Sequence, residues 1–146
     1  MTYFQYSNSN LFAEKCSLSN IIKKIKTPFY LYSEKQLTDN FLNFKKSFKN
    51  INPLICYSVK ANPNLSVLRI LSKLGSGADV VSGGELLKAL NSGIKSNKIV
   101  FSGIGKTEEE LKLDIKKKIL LINIESESEA KLINRLSKRM NRKTSI

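Results

Sequence analysis

Among the residues of this chain that could do chemistry, Lys60 stands first, because of where it sits. It closes the run Leu54-Ile-Cys-Tyr-Ser-Val-Lys60 and is followed at once by the turn residues Ala-Asn-Pro-Asn64. An apolar, β-prone run reads as a buried strand, and a lysine at its end is costly unless it has a partner or a task. A primary amine partly desolvated at the mouth of a cleft can condense with an aldehyde, the chemistry of a Schiff-base lysine. The ordinary alternative is a lysine whose stem packs on the strand while its head reaches water. Other chemistries are poorly provided for. The chain has no histidine, the commonest general base, and Cys16 and Cys56 have no metal-ligand spacing around them. Both cysteines read as reduced thiols.

The elements that must position Lys60 follow a regular rhythm. Apolar runs over 54–59, 78–81, 98–101 and 119–124 stop at Lys60, Ser82, Ser102 and Glu125. Between the stops, leucines and isoleucines recur at helical spacing, as in Leu65, Leu68, Leu71 or Leu132, Ile133, Leu136. Ser82-Gly-Gly-Glu85, Thr107-Glu-Glu-Glu110 and Ser126-Glu-Ser-Glu129 each place a hydroxyl residue three before Glu, the pattern of a helix capping box. Gly75 and Gly93 follow the last apolar helical residues, as terminal glycines do. The pattern is strand, helix, strand, helix.

Upstream, residues 1–26 form a polar lead followed by Leu18, Ile21, Ile22 and Ile25, which suit a short amphipathic helix. Residues 27–33 read as extended. Ser33-Glu-Lys-Gln36 fits a capping box, and Leu37, Phe41, Phe44 and Phe48 predict a helix over 34–49 with an aromatic stripe on a core.

Continuous apolar strands with helical returns imply an α/β fold, a parallel sheet joined by right-handed crossovers. An open doubly wound sheet and a (β/α)8 TIM-type barrel both suit this pattern; the barrel is preferred, because no G-x-G-x-x-G follows the first strand and the unit length is uniform. In either fold ligands gather at strand C-terminal ends, so Lys60, Asp79, Ser82 and Ser102 are expected near one face. Four strands, with a fifth beginning at 144–146, make about half a barrel, so the chain reads as the truncated N-terminal part of one.

The chain of 146 residues is 41% hydrophobic and 25% charged, the composition of a globular domain, with a net charge of +13. Its basic residues are scattered over helix faces with no tract of interleaved aromatics, which argues against a nucleic-acid-binding module. Residues 1–10 lack the basic and apolar regions of a signal peptide, and no apolar run is long enough to span a membrane. The cytoplasm is the expected location, with neither nucleic acid nor membrane as partner.

Tyr57-Ser-Val-Lys60-Ala-Asn-Pro-Asn64 resembles the Tyr-x-Val-Lys-Ala-Asn signature of the barrel-type, pyridoxal-phosphate-dependent amino-acid decarboxylases. Further stretches follow the same family in order: Thr27-Pro-Phe-Tyr-Leu-Tyr-Ser33, Gly77-Ala-Asp-Val-Val-Ser-Gly-Gly-Glu-Leu86, Ile99-Val-Phe-Ser-Gly103 with Lys106, and Asn123-Ile-Glu-Ser126 with Glu129. Within it, the residues around Lys60 and Asp79 look like the diaminopimelate decarboxylases more than the ornithine or arginine enzymes. The resemblance implies Lys60 as the catalytic lysine that holds pyridoxal 5'-phosphate, with Asp79 and Glu85 as acidic residues near the cofactor. It implies decarboxylation of meso-2,6-diaminopimelate to L-lysine and carbon dioxide, no metal, and a homodimer with shared active sites. The implied domains are a lead over 1–33 and part of a cofactor-binding barrel over 34–146, without the family's C-terminal β-domain. Glu85 also suits a cap, as does Ser82, and Gly83, Gly84, Gly103 and Gly105 match no phosphate-loop spacing. The family's ring-stacking histidine and phosphate loop have no counterpart up to Ile146, so weak cofactor binding and negligible turnover are expected of this polypeptide alone. A non-enzymatic pyridoxal-phosphate-binding barrel protein is the alternative.

Overall fold

Asn8 and Ser9 take left-handed backbone angles, φ 46° and 62°, as a two-residue hairpin turn demands. They join β1 (Phe4–Ser7) antiparallel to β2 (Asn10–Ala13), and β3 (Cys16–Ser17) pairs with the other side of β2. This computed structural model describes residues 3–146; Met1 and Thr2, which open the polar lead, lie outside the described residues. The small sheet is a correction to the reading of a lead without strands. Three of the four β1 residues are exposed, so the strand carries none of the apolar alternation by which strands are recognised.

The chain divides into two compact units, Met1–Ser47 and Phe48–Ile146. The first also holds α1 (Leu18–Ile22), with no buried residue, and α2 (Glu34–Lys46). Ser33 caps α2 by accepting the Gln36 N–H at 2.9 Å, and its hydroxyl donates to Glu14 at 2.6 Å. Glu14 also accepts the Lys35 N–H at 3.0 Å, and these bonds hold its carboxyl below the usual range. The aromatic stripe is shorter than expected. Phe41 is buried, while Phe44 is 55% exposed and the helix ends at Lys46.

The second unit is a four-stranded sheet in the order β4-β5-β6-β7, formed by Cys56–Ser58, Gly77–Val80, Ile99–Phe101 and Leu121–Ile122, all parallel. Each strand leads to a helix: α3 (Leu65–Lys73), α4 (Gly83–Asn91), α5 (Glu108–Lys117) and α6 (Glu127–Arg139). Strands adjacent in sequence are adjacent in space throughout. That is the winding of a (β/α)8 barrel; a doubly wound sheet would reverse its order at a switch point. Beyond β7 the Ile122 N–H donates to the Ser145 carbonyl at 3.0 Å, so the segment expected to begin a fifth strand lies against the sheet edge.

The expected capping chemistry forms. Ser82, Thr107 and Ser126 accept the N–H groups of Glu85, Glu110 and Glu129, and Thr107 with Glu110 completes a reciprocal box. Gly75 and Gly93 sit at φ 90° and 93°, and each follows the C-cap residue of its helix.

One sheet face packs on the helices. Val59, Ala78, Val80, Ile99 and Phe101 are buried with Leu68, Leu86 and Ala89, and Ile122 is buried with Leu111, Ile115, Ile133 and Leu136. Strand alternation therefore turns Ser58, Asp79, Val100 and Leu121 to the opposite face, where all four are half-buried. Among the described residues no helix is long and apolar enough to cross a membrane.

Candidate functional site

β4 ends at Ser58, and Val59–Ala61 tighten into a single 3-10 turn before the extended pair Asn62-Pro63. Lys60 thus lies in the turn beyond the strand, where its residue is exposed, with its neighbour Val59 fully buried. This corrects the expectation of a partly desolvated lysine at the strand's last position. The cause is local: Val59 is the last side chain drawn into the helix-packed core, and the tight turn that follows ends the alternation. Lys60 makes no ion pair or side-chain hydrogen bond among the described residues. Its amine is unencumbered.

Asp79 lies in β5 in register with Ser58 of β4 and Val100 of β6. Ser102, just past β6, donates its hydroxyl proton to Asp79 at 2.5 Å, and Asn123, just past β7, donates its side-chain amide to Ser102 at 2.9 Å. The direction of this chain follows from the inventory of protons. It is the amide nitrogen of Asn123 that meets Ser102, and it can only donate to the serine oxygen, so the single hydroxyl proton is spent on Asp79, which receives it as an acceptor. Three consecutive strand ends are thereby joined by side chains on the face away from the helices.

Ser58 adds a group the sequence reading passed over. Its hydroxyl oxygen is buried and has no hydrogen-bond partner among the described residues, and an unsatisfied buried hydroxyl invites a partner that is not part of the strand. The available signal was its place two residues before Lys60 on an alternating strand. Cys56, two residues earlier, has its thiol pushed up by burial and, secondarily, by the Asp79 carboxylate.

Glu85 and Ser82 serve the turn between β5 and α4. Glu85 accepts the Val81 N–H at 2.9 Å, while Ser82 caps the helix by accepting the Glu85 N–H at 3.3 Å. The Gly83 N–H goes to Glu110 at 2.8 Å, and Glu110 also accepts the Thr107 N–H at 2.9 Å. These bonds, Thr107 foremost, hold the Glu110 carboxyl below its usual range despite some burial. With carboxylates already on these donors, the N-terminus of α4 is not an open phosphate cradle, and Gly83 and Gly84 are the first two residues of the helix. Ser82 does not join the chain of side chains that links Asp79, Ser102 and Asn123.

Lys106 and Glu129, which the sequence offered only as parts of two family-like stretches, are brought together by the fold. The Lys106 ammonium is buried at 1% exposure and bonds Glu129 at 3.0 Å, the Gly103 carbonyl at 2.6 Å and the Asn123 carbonyl at 2.8 Å. No group of three or more metal-ligating side chains occurs among the described residues. The edge where the strands end thus offers a free primary amine, an acceptor carboxylate and an unsatisfied hydroxyl. Such a set suits an aldehyde-bearing ligand with polar groups on its ring.

Comparison with known proteins agrees with that chemistry. Residues 34–145 match the family model described as pyridoxal-dependent decarboxylase, pyridoxal binding domain. The chain is 48% identical over 126 residues to a diaminopimelate decarboxylase of Helicobacter pylori, covering 86% of this chain and 31% of that protein. It is 40% identical over 144 residues to one of Aquifex aeolicus, covering 99% of this chain and 34% of the relative. The crystal structure of diaminopimelate decarboxylase from M. jannaschii in co-complex with L-lysine superposes with a TM-score of 0.90 at 38% identity, over 94% of this chain and 33% of that one. The chain therefore spans about a third of the length of the relatives it matches. With a parallel sheet wound in sequential order and a free lysine past its first strand, the chain belongs to the pyridoxal-dependent decarboxylases, as part of their pyridoxal-binding barrel domain.

Proposed function

We propose that Lys60 is the residue that carries pyridoxal 5'-phosphate, and that the protein containing this chain removes one carboxylate from meso-2,6-diaminopimelate to yield L-lysine and carbon dioxide. The observation that supports this reading most directly is the unpaired Lys60 amine on the turn that leaves β4, at the edge where Asp79, Ser102 and Asn123 meet. The donor set fits the cofactor's aldehyde and ring edge. Ser58 has a buried hydroxyl in want of a partner, and Asp79 is held as an acceptor.

When bound, the cofactor supplies an electron sink for the pair left behind as carbon dioxide departs. The chain's residues do the rest. Lys60 presents the nucleophilic amine and can hold or return a proton at Nζ. Asp79, oriented by Ser102, offers a fixed negative charge to a cationic or N–H group of the ring. Glu85 is the second acidic residue of this reading; by holding the Val81 N–H it keeps the end of β5 and the start of α4 at the cofactor's edge. In this reading residues 1–33 are the lead, residues 34–146 contribute to the barrel, and the protein works in the cytoplasm as a homodimer. Both cysteines are free, as a reducing compartment would keep them.

The test is to mix the chain with pyridoxal 5'-phosphate, reduce with borohydride and map the modified lysine by peptide mass spectrometry. Label concentrated on Lys60 and lost in Lys60→Ala supports the assignment. Label spread evenly over the lysines, or undiminished in Lys60→Ala, overturns it. Release of carbon dioxide from carboxyl-labelled diaminopimelate by the protein that contains this chain tests the substrate separately.

A further inference from the structure

We propose that Lys106 is a positioning residue for this site: its buried ammonium, paired with Glu129, pins the carbonyls of Gly103 and Asn123 so that Asn123 and Ser102 hold the Asp79 carboxylate in place. The inference rests on reading the strand ends as the cofactor site, but it concerns the chain's own architecture. β6 ends at Phe101 and β7 at Ile122, and the next N–H groups each continue the ladder by one bond, Ser102 to the Val80 carbonyl at 2.8 Å and Asn123 to the Phe101 carbonyl at 2.9 Å. What remains is to fix the carbonyls that follow.

Lys106 does so with its full set of donors. An ammonium has three N–H groups, and here they go to the Gly103 carbonyl, the Asn123 carbonyl and Glu129, at 2.6, 2.8 and 3.0 Å. The head also stands 5.8 Å from the centroid of the fully buried Phe101 ring. The counterion is equally anchored, since Glu129 accepts the Glu125 N–H at 2.8 Å through its other oxygen. Glu125 in turn accepts the Gly103 N–H at 3.1 Å. Gly103 is therefore tied by both its N–H and its carbonyl.

Asn123 is held in the same manner, its N–H bonded to the Phe101 carbonyl at 2.9 Å and its own carbonyl to Lys106. With the main chain gripped on both sides, its side chain can reach Ser102 at 2.9 Å, and Ser102 delivers its proton to Asp79. A buried ion pair is weak evidence for stability, because desolvation offsets much of the attraction. Its place at two strand ends, aimed at backbone carbonyls, gives this one a positional use.

The experiment is solution NMR on the full chain without cofactor, comparing the wild type with Lys106→Met, which keeps most of the side-chain length and removes all three donors. We expect the Asp79 side-chain carboxyl carbon resonance to move at fixed pH, and Ser102→Ala, which removes the donor itself, should move it as well. We also expect the Asn123 amide to exchange at least about tenfold faster. Ile133→Val, a core change that lowers stability without touching the network, should leave the Asp79 resonance in place. If Lys106→Met does not fold, the exposed Asn123→Ala carries the test, because it cuts the same chain and spares the carbonyl that Lys106 binds. An Asp79 resonance unmoved in folded Lys106→Met, or unmoved in Asn123→Ala, overturns the proposal. Since no cofactor is present, this failure is separate from a failure of the Lys60 labelling experiment.

Discussion

Ser102, at the end of β6, donates to Asp79 of the adjacent strand β5 at 2.5 Å, although 23 residues separate them in sequence. The contact exists because a parallel sheet brings successive strand ends side by side, and Asp79 in β5, Ser102 just past β6 and Asn123 just past β7 alternate away from the buried Val80, Phe101 and Ile122. Replacing Ser102 with alanine removes one bond to a charged group and leaves the Asn123 amide without its acceptor. We expect a loss of about 1 kcal/mol in urea unfolding, since the pair is only part-buried. An unchanged midpoint would show that water replaces the hydroxyl at no cost.

Gly77 marks a close approach of backbone to backbone in the sheet. A Cβ there would stand 2.3 Å from the Lys98 carbonyl oxygen and 2.8 Å from the Cys56 sulfur. The first obstacle is backbone, which cannot swing aside. Gly77→Ala should cost about 3 kcal/mol in chemical denaturation; a loss within error of zero would mean that β5 can shift to accept a methyl group.

Asp114 is fully buried on α5, and neither carboxylate oxygen has a hydrogen-bond partner among the described residues. Burial foremost, then the nearby Glu110 charge, pushes its carboxyl up to about 8, with Lys106 opposing. The folded chain keeps this proton over a range in which the unfolded chain, near 3.8, has released it. The contribution of Asp114 is thus fullest in acid, and stability falls as pH rises from about 4 to about 8, by at most about 1.4 kcal/mol per unit. Asp114→Ala should remove that slope, so the variant gains on the wild type as pH rises. Parallel stability curves for the two proteins would refute the assignment.

Lys118 caps the C-terminus of α5 in the left-handed region, φ 53° and ψ 56°, where glycine is the favoured residue. Lys118→Gly relieves that strain while loosening the unfolded chain. The steric term is the larger, and a net gain of about 0.5 kcal/mol is expected in thermal or urea unfolding. A lower midpoint would mean that the lysine side chain contributes more than its backbone costs.

The barrel rhythm was legible in the sequence because its determinants are local. An apolar run marks each strand, and a hydroxyl residue three before a glutamate marks the start of the helix that follows. Ser82, Thr107 and Ser126 cap the helices that their own neighbours predict. That Lys60 falls where the first strand of this sheet gives way to a turn was legible from the Ala-Asn-Pro-Asn64 residues that follow it. The β1–β2 hairpin escaped notice because β1 is mostly exposed and neither strand alternates apolar with polar residues, leaving only the Asn8-Ser9 turn as a signal.

Sequence alone therefore settled which segments of the barrel become strands and helices, and which lysine follows the first strand of its sheet. Tertiary structure decided how the strand ends combine. Asp79 takes its proton donor from Ser102, Ser102 takes one from Asn123, and Asn123 is gripped by Lys106, which pairs with Glu129. Each contact spans about one β/α unit, a distance over which propensity and periodicity carry no information and only the register of parallel strands sets who meets whom.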